Sequence, residues 1–306
     1  MNLSKEVASR VLAFHTQSEF AQRGGVITDL DGTALHEDAG RLFVALTVEA
    51  GLKALAELGR PVVINTLRFP LNVVNTFGRA WSEITNEPIP LISLNGAVFG
   101  RITPVGEHEV SFDELEAFPL TTEEIGSVLS GLETMLAGDL TNLLVFHYPC
   151  DWRLGERLWT PHAERVDEIR IKYGSASSVF GGELEMLAHS LRAKGACMIS
   201  ILADAPEDQL MAYQHGNPNQ FVTHSGVDKL SGAQLAANRL GFDLQHSVGA
   251  GDTRMDVFLS GVGLAIHVGR GRLPYRGLVD TIELPDPDAM GTVLFELSGL
   301  QVIAEA

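Results

Sequence analysis

Asp29 and Asp31 stand two residues apart in the string Val26-Ile27-Thr28-Asp29-Leu30-Asp31-Gly32-Thr33, where a short apolar run opens into polar chain. Two carboxylates this close repel one another unless a cation holds them, so the pair indicates chemistry rather than packing. One chemistry is a calcium loop of the EF-hand type, which needs Gly at its sixth position and a bidentate Glu at its twelfth. Counted from Asp29, those positions hold Ala34 and Gly40, and a strand rather than a helix leads into the loop. The calcium reading fails. The other chemistry is phosphoryl transfer to a nucleophilic aspartate, which divides one difficult displacement into two easier ones.

The elements that must position such a site follow from hydrophobic period and stop signals. A strand at the first Asp, a polar flexible segment over 35–41, a helix over 48–58 closed by Gly59 and a strand over 62–64 make a βαβ unit, hence a parallel sheet. A second crossover helix over 70–83 leads to a strand over 90–94. The pattern resumes with a helix over 230–240 stopped by Gly241, a strand over 247–249, a short helix over 255–259 and a strand over 263–268. Ligands of open parallel sheets sit beyond the carboxyl ends of the strands, where Asp29, Thr66 and Asp252 all fall. Between 100 and 216 the character changes: a helix over 122–136 and apolar strands over 143–146 and 198–202 suggest an inserted α+β unit. An amphipathic helix over 3–21, with Val7, Val11, Leu12 and Phe14 on overlapping faces, either packs on the core or serves a dimer contact; oligomeric state is left open.

The first string resembles the first motif of the haloacid dehalogenase (HAD) superfamily of phosphohydrolases, and three later segments match its other motifs in order. Val62-Val63-Ile64-Asn65-Thr66 resembles the second, Gly226-Val227-Asp228-Lys229 the third, in the form used by the Cof-type subfamily, and Gly251-Asp252-Thr253-Arg254-Met255-Asp256 the fourth. Alone, each later motif fits a structural role: Thr66 a strand-end hydroxyl, Lys229 a surface lysine, Asp252 a helix N-cap. Together they imply a Rossmann-like, doubly wound α/β core over 1–99 and 217–306, with a C2-type cap over 100–216. Asn95-Gly96 resembles the point where Cof-type chains leave the core, and it and the 216–226 return would be the hinges.

The resemblance also implies roles. Asp29 would be the nucleophile and Asp31 the general acid and base. Thr66 and Lys229 would hold phosphoryl oxygens. Mg²⁺ would bind Asp29, Asp252 and the main-chain carbonyl of Asp31, with Asp256 orienting Lys229 or metal-bound water. Hard oxygen ligands suit Mg²⁺ rather than Zn²⁺. Arg68 and Asn95 are candidate substrate contacts. Leu67 replaces the Gly of the family's T-G-R, and Met255 stands where many Cof-type chains have Asn.

Composition narrows the partners. With 22 Lys and Arg against 39 Asp and Glu the formal charge is -17, and no basic run exists to neutralise a nucleic acid backbone. No apolar stretch approaches the ~20 residues of a membrane span, and the N-terminus does not read as a signal peptide. Cys150 and Cys197, far apart in sequence, read as buried apolar thiols suited to a reducing cytosol. The ten His residues show no metal spacing. The sequence therefore points to a cytoplasmic Mg²⁺-dependent phosphatase acting on a small phosphorylated metabolite such as a sugar phosphate. A phosphomutase on the same fold and a catalytically silent ligand-binding protein are the alternatives.

Overall fold

Val26, Ile27 and Thr28 are buried on both faces, as are Val62, Val63 and Ile64, the condition of parallel strands covered by helices on either side. The computed structural model describes residues 3–38, 41–82, 84, 87–106, 109–138, 142–203, 221–269 and 271–305. In chain order the strands are β1 (Val26–Thr28), β2 (Leu35–Asp38), β3 (Arg41–Val44), β4 (Val62–Asn65), β5 (Ile89–Ser93), β6 (Val98–Pro104), β7 (Val110–Ala117) and β8 (Leu143–Tyr148). They continue as β9 (Arg157–Thr160), β10 (Ser178–Gly181), β11 (Met198–Ala203), β12 (Phe221–Thr223), β13 (Val248–Gly251), β14 (Leu264–Val268) and β15 (Asp280–Leu284).

Eight of these form the core sheet, in the order β15-β14-β13-β1-β4-β5-β6-β7. The first six are parallel, and β6 and β7 extend the edge antiparallel. Strand alternation divides the core. Val26, Ile64 and Val248 face the helices Lys5–Gln17, Leu46–Glu57 and Pro287–Glu305, while Ile27, Val63 and Ala265 face the helix Lys229–Leu240 and the 3₁₀ turn Val257–Ser260. The chain steps from β1 through β4 to β5, then returns to β13 on the other side of β1. That reversal opens a crevice at the carboxyl ends of β1, β4 and β13.

A second sheet, β10-β9-β8-β11-β12, carries the helices Thr122–Leu136 and Leu184–Lys194 on one face. Thr121 and Glu124 form a capping box that fixes where the first of these helices begins. The two sheets meet where Tyr148 packs on Phe69 with ring centroids 5.5 Å apart, and Trp152 stands edge-on to Phe112 at 5.5 Å.

Several expectations shift. Residues 98–104 and 110–117, assigned largely to the insertion, pair within the core sheet: at Leu94 and Asn95 the backbone turns left-handed (φ 52° and 58°) and runs back along β5. Phe221–Thr223, assigned to the core, pairs instead with β11 of the second sheet. Of the segment expected as flexible over 35–41, residues 35–38 form β2, which pairs antiparallel with β3 from Arg41 onward. The N-terminal helix ends at Gln17 because Ser18 is extended, and a separate turn, Phe20–Arg23, follows; Val11 and Phe14 are buried but Leu12 is exposed. The helix expected over 70–83 is interrupted by a π turn, Val74–Gly78. Glu83 and Gly216 lie outside the described residues. Cys150 and Cys197 are free thiols but not distant: their sulfurs are 3.9 Å apart, with Cys197 buried and Cys150 half-buried.

Candidate active site

Asp29 follows the last residue of β1, and its main-chain N–H donates to Ala250 O of β13 at 3.0 Å, which locks it into the crevice. Its Oδ1 lies 2.9 Å from Lys229 Nζ, which also donates to Asp256 Oδ1 at 2.6 Å. All three groups are buried. Lys229 is the first residue of its helix, and Asp228 caps that helix by accepting from the N–H groups of Leu230 and Ser231. A cation in a helix's first turn opposes the macrodipole, and here two carboxylates offset that cost. Asn65 Nδ2 donates to Lys229 O at 2.9 Å, tying the helix to the end of β4. From the other side, Gly96 (φ +95°) lies so close that a Cβ there would stand 2.1 Å from Asp228 O.

The second acidic pair folds on itself. Asp256 Oδ2 accepts from the main-chain N–H of Asp252 at 3.0 Å and of Thr253 at 2.9 Å. Asp256 therefore has both oxygens engaged and holds Lys229 and the loop in place. Asp252 Oδ1 accepts from Thr33 Oγ1 at 3.2 Å. Its Oδ2 lies against Gly32, where a Cβ would stand at 2.1 Å. Gly32 also has φ +71°, so the glycine of the first string serves both the turn and the space Asp252 needs.

Carboxylate oxygens of Asp29, Asp252 and Asp256 lie within 4.8 Å of one another. Burial pushes the Asp29 carboxyl well above the usual range; Lys229 pulls against that, and Asp256, Asp252 and Asp31 add to it. Burial and then Asp256 push Asp252 up to about 7. For Lys229, burial acts to lower the pKa, but Asp256 and Asp29 outweigh it and the ammonium is held more firmly charged. Three carboxylates against one ammonium, with Asp252 packed into a notch that a side chain on residue 32 would fill, fit a divalent oxygen-liganded cation.

Thr66 stands one residue beyond β4, buried, its Oγ1 accepting from the N–H of Arg68 at 3.2 Å and its carbonyl from the N–H of Asn95 at 3.4 Å. This places Asn95 behind Thr66 through its main chain. Arg68 turns toward Asp31: Nε and Nη2 donate to the two carboxylate oxygens at 2.7 and 2.6 Å. Met255 is buried beside the fourth motif, its N–H donating to Thr253 Oγ1 at 3.2 Å. Sequence reasoning missed Thr33, Asn65 and Thr253. All three lie inside the quoted motifs, but nothing in the sequence signals Asn65's bond to a residue 164 positions away.

No family model matches the sequence, and no curated protein does. Solved structures do match. A HAD subclass IIB sugar phosphatase, BT4131, superposes with a TM-score of 0.60 over 92% of this chain and 100% of its own, at 17% identity. BT1666 from Bacteroides thetaiotaomicron, one of the phosphatases of the same superfamily, gives 0.61 over 91% and 96%, at 16% identity. A haloacid dehalogenase-like hydrolase from B. subtilis gives 0.61 over 89% and 98%, at 18% identity. With its mostly parallel eight-stranded sheet and its second five-stranded sheet, this chain has the fold of these haloacid dehalogenase-superfamily structures.

Proposed function

We propose that this protein is a Mg²⁺-dependent phosphoric monoester hydrolase that acts on a small phosphorylated metabolite, such as a sugar phosphate, through an aspartyl-phosphate intermediate. The observation that carries the proposal is the Asp29–Lys229–Asp256 arrangement, with bonds of 2.9 and 2.6 Å, at the carboxyl end of the central strand. It holds one carboxylate beside a fixed ammonium in a buried place, which is what an anionic nucleophile attacking an anionic ester requires.

Asp29, Asp252 and the main-chain carbonyl of Asp31 would hold the Mg²⁺, which when bound neutralises charge on the phosphoryl oxygens. One Asp29 oxygen forms the bond to phosphorus while the bond from phosphorus to the leaving oxygen breaks, and Asp31 gives that oxygen its proton. Water then attacks the phosphorus of the aspartyl-phosphate, Asp31 takes its proton, and the Asp29 carboxylate is regenerated. Lys229 and Thr66 hold phosphoryl oxygens through both steps. We also assign the second sheet unit, from 118 to about 225, as the cap that reads the remainder of the substrate. The core groups account for the phosphoryl group alone, and Tyr148 and Trp152 of that unit rest on the core beside Phe69 and Phe112.

The test is phosphate release from p-nitrophenyl phosphate with Mg²⁺, followed by a screen of phosphorylated metabolites, with Asp29→Asn as the control. Mg²⁺-dependent release that the variant loses supports the proposal. A wild-type protein inert toward every ester, or an equally active variant, contradicts it.

A further inference from the structure

We propose that Arg68 is a positioning residue that acts through Asp31, and not a contact for the substrate's phosphoryl group. The inference rests on the phosphatase reading above and concerns how its acid–base step is organised.

Arg68 is 2% exposed, yet its guanidinium lies at the mouth of the crevice beside Asp31. Nε and Nη2, the edge that would grip a phosphoryl group in bidentate fashion, are both donated to Asp31. Nη1 donates to Asn72 Oδ1 at 2.7 Å, and the guanidinium carbon stands 4.7 Å from the centroid of Phe77. The planar ion is thus fixed at its fork, its far nitrogen and its face. Its backbone is fixed as well: Arg68 O accepts from Ser93 Oγ at 2.5 Å and from the N–H of Leu94 at 3.3 Å.

Local structure explains how one residue is held from so many sides. Pro70 at the start of the helix Pro70–Val73 sets its direction, which puts Asn72 one turn beyond Arg68. The π turn Val74–Gly78 then widens the helix, and Phe77 lies within that turn. Such turns are rare and recur at functional sites. Here the turn supplies the ring on which the guanidinium rests.

Among the described residues, Arg68 alone hydrogen-bonds the Asp31 carboxylate. The Asp31 side chain is 34% exposed, and it follows a strand end on a chain that is about to turn at Gly32. A general acid must keep its carboxyl within hydrogen-bond reach of the leaving oxygen. Each carboxylate oxygen has a second lone pair, so a bidentate fork fixes the plane of the group while leaving a site for the transferred proton. Lysine could supply the charge but not the plane.

The test is a double-mutant cycle on the full-length protein with Arg68→Met and Asp31→Asn. It is read with a series of substituted phenyl phosphates and one alkyl phosphate, and with inhibition by inorganic phosphate. Loss of a general acid typically costs about 10²–10⁴-fold, and more as the leaving group becomes poorer. We expect Arg68→Met to lower kcat by about tenfold or more on the alkyl ester and little on p-nitrophenyl phosphate. It should leave KM and phosphate inhibition nearly unchanged. In the Asp31→Asn background the same substitution should change kcat by no more than about twofold, the scatter of independent sites. Arg68→Lys should retain the steeper dependence on leaving group, and it replaces Arg68→Met in the cycle if that variant does not fold.

Losses that are uniform across the series and accompanied by weaker phosphate inhibition would show that Arg68 grips the phosphoryl group. Losses that multiply with those of Asp31→Asn would also overturn the proposal while leaving the phosphatase reading intact. A wild-type protein that hydrolyses no ester overturns both.

Discussion

Asp256 Oδ1 lies 2.6 Å from Lys229 Nζ, both side chains buried, while the other Asp256 oxygen accepts two main-chain N–H groups of the Asp252–Thr253 turn. One carboxylate therefore fixes both the cation and the loop that presents Asp252. Breaking a buried pair by removing one partner costs about 3–5 kcal/mol, because the remaining charge is left uncompensated. Asp256→Ala should lose stability of that order in urea unfolding, and activity with it. Asp256→Asn, which keeps acceptor and shape, should lose less. An unfolding midpoint unchanged in the alanine variant would contradict this role.

Gly32 supplies a separate test. Its positive φ alone would strain an L-residue by roughly 1–2 kcal/mol, and an added Cβ would meet Asp252 Oδ2 at 2.1 Å. Gly32→Ala should displace the Asp252 carboxylate and sharply weaken Mg²⁺ binding measured by calorimetry. If the variant binds Mg²⁺ like the wild type, the notch does not position Asp252.

The crowded carboxylates predict a response to metal that does not depend on turnover. A cation that binds only the folded state raises its stability in proportion to the logarithm of concentration above Kd. Mg²⁺ should therefore raise Tm progressively in the wild type, and Asp252→Ala should abolish the rise. A full rise in the variant would place the metal elsewhere.

Glu156, in the second sheet unit, is buried and accepts from Tyr148 Oη at 2.7 Å, and burial pushes its carboxyl from 4.5 up to about 7. The folded state then keeps this proton over a pH range in which the unfolded chain has released it. Stability contributed by Glu156 is complete below about pH 4.5, falls as pH rises toward 7, and is level above; the span is roughly 3 kcal/mol at most. Glu156→Gln should remove this slope, so its stability relative to wild type should increase across that window. Parallel stability–pH curves for the two proteins would contradict the assignment.

Much of the core was legible because parallel strands buried on both faces leave unbroken apolar runs, as in Val62-Val63-Ile64, and because Asp29 and Asp31 stand only two residues apart in sequence. The edge was not. β7 carries Asp113, Glu114 and Glu116 on an edge strand, so its polar character suggested an insertion although it completes the core sheet. The short strands β9 and β10 show little alternation; β9 is organised by pairing with β8, and β10 by pairing with β9. The site divided in the same way. Strand ends and motif order singled out Asp29, Thr66, Lys229 and Asp252, and the fold sets Asp29 beside Lys229 and Asp252. The pairing of Arg68 with Asp31 spans 37 positions, and that of Cys150 with Cys197 spans 47. Both are products of tertiary packing with no local signature.

The central claim is that Asp29 becomes phosphorylated, and borohydride trapping during turnover addresses it most directly. Reduction of an aspartyl-phosphate yields homoserine, which peptide mass spectrometry locates by residue. The account predicts homoserine at position 29 only when a hydrolysable ester and Mg²⁺ are both present, and none in Asp29→Asn. Sustained turnover with residue 29 unmodified, or the label on a different carboxylate, would contradict it.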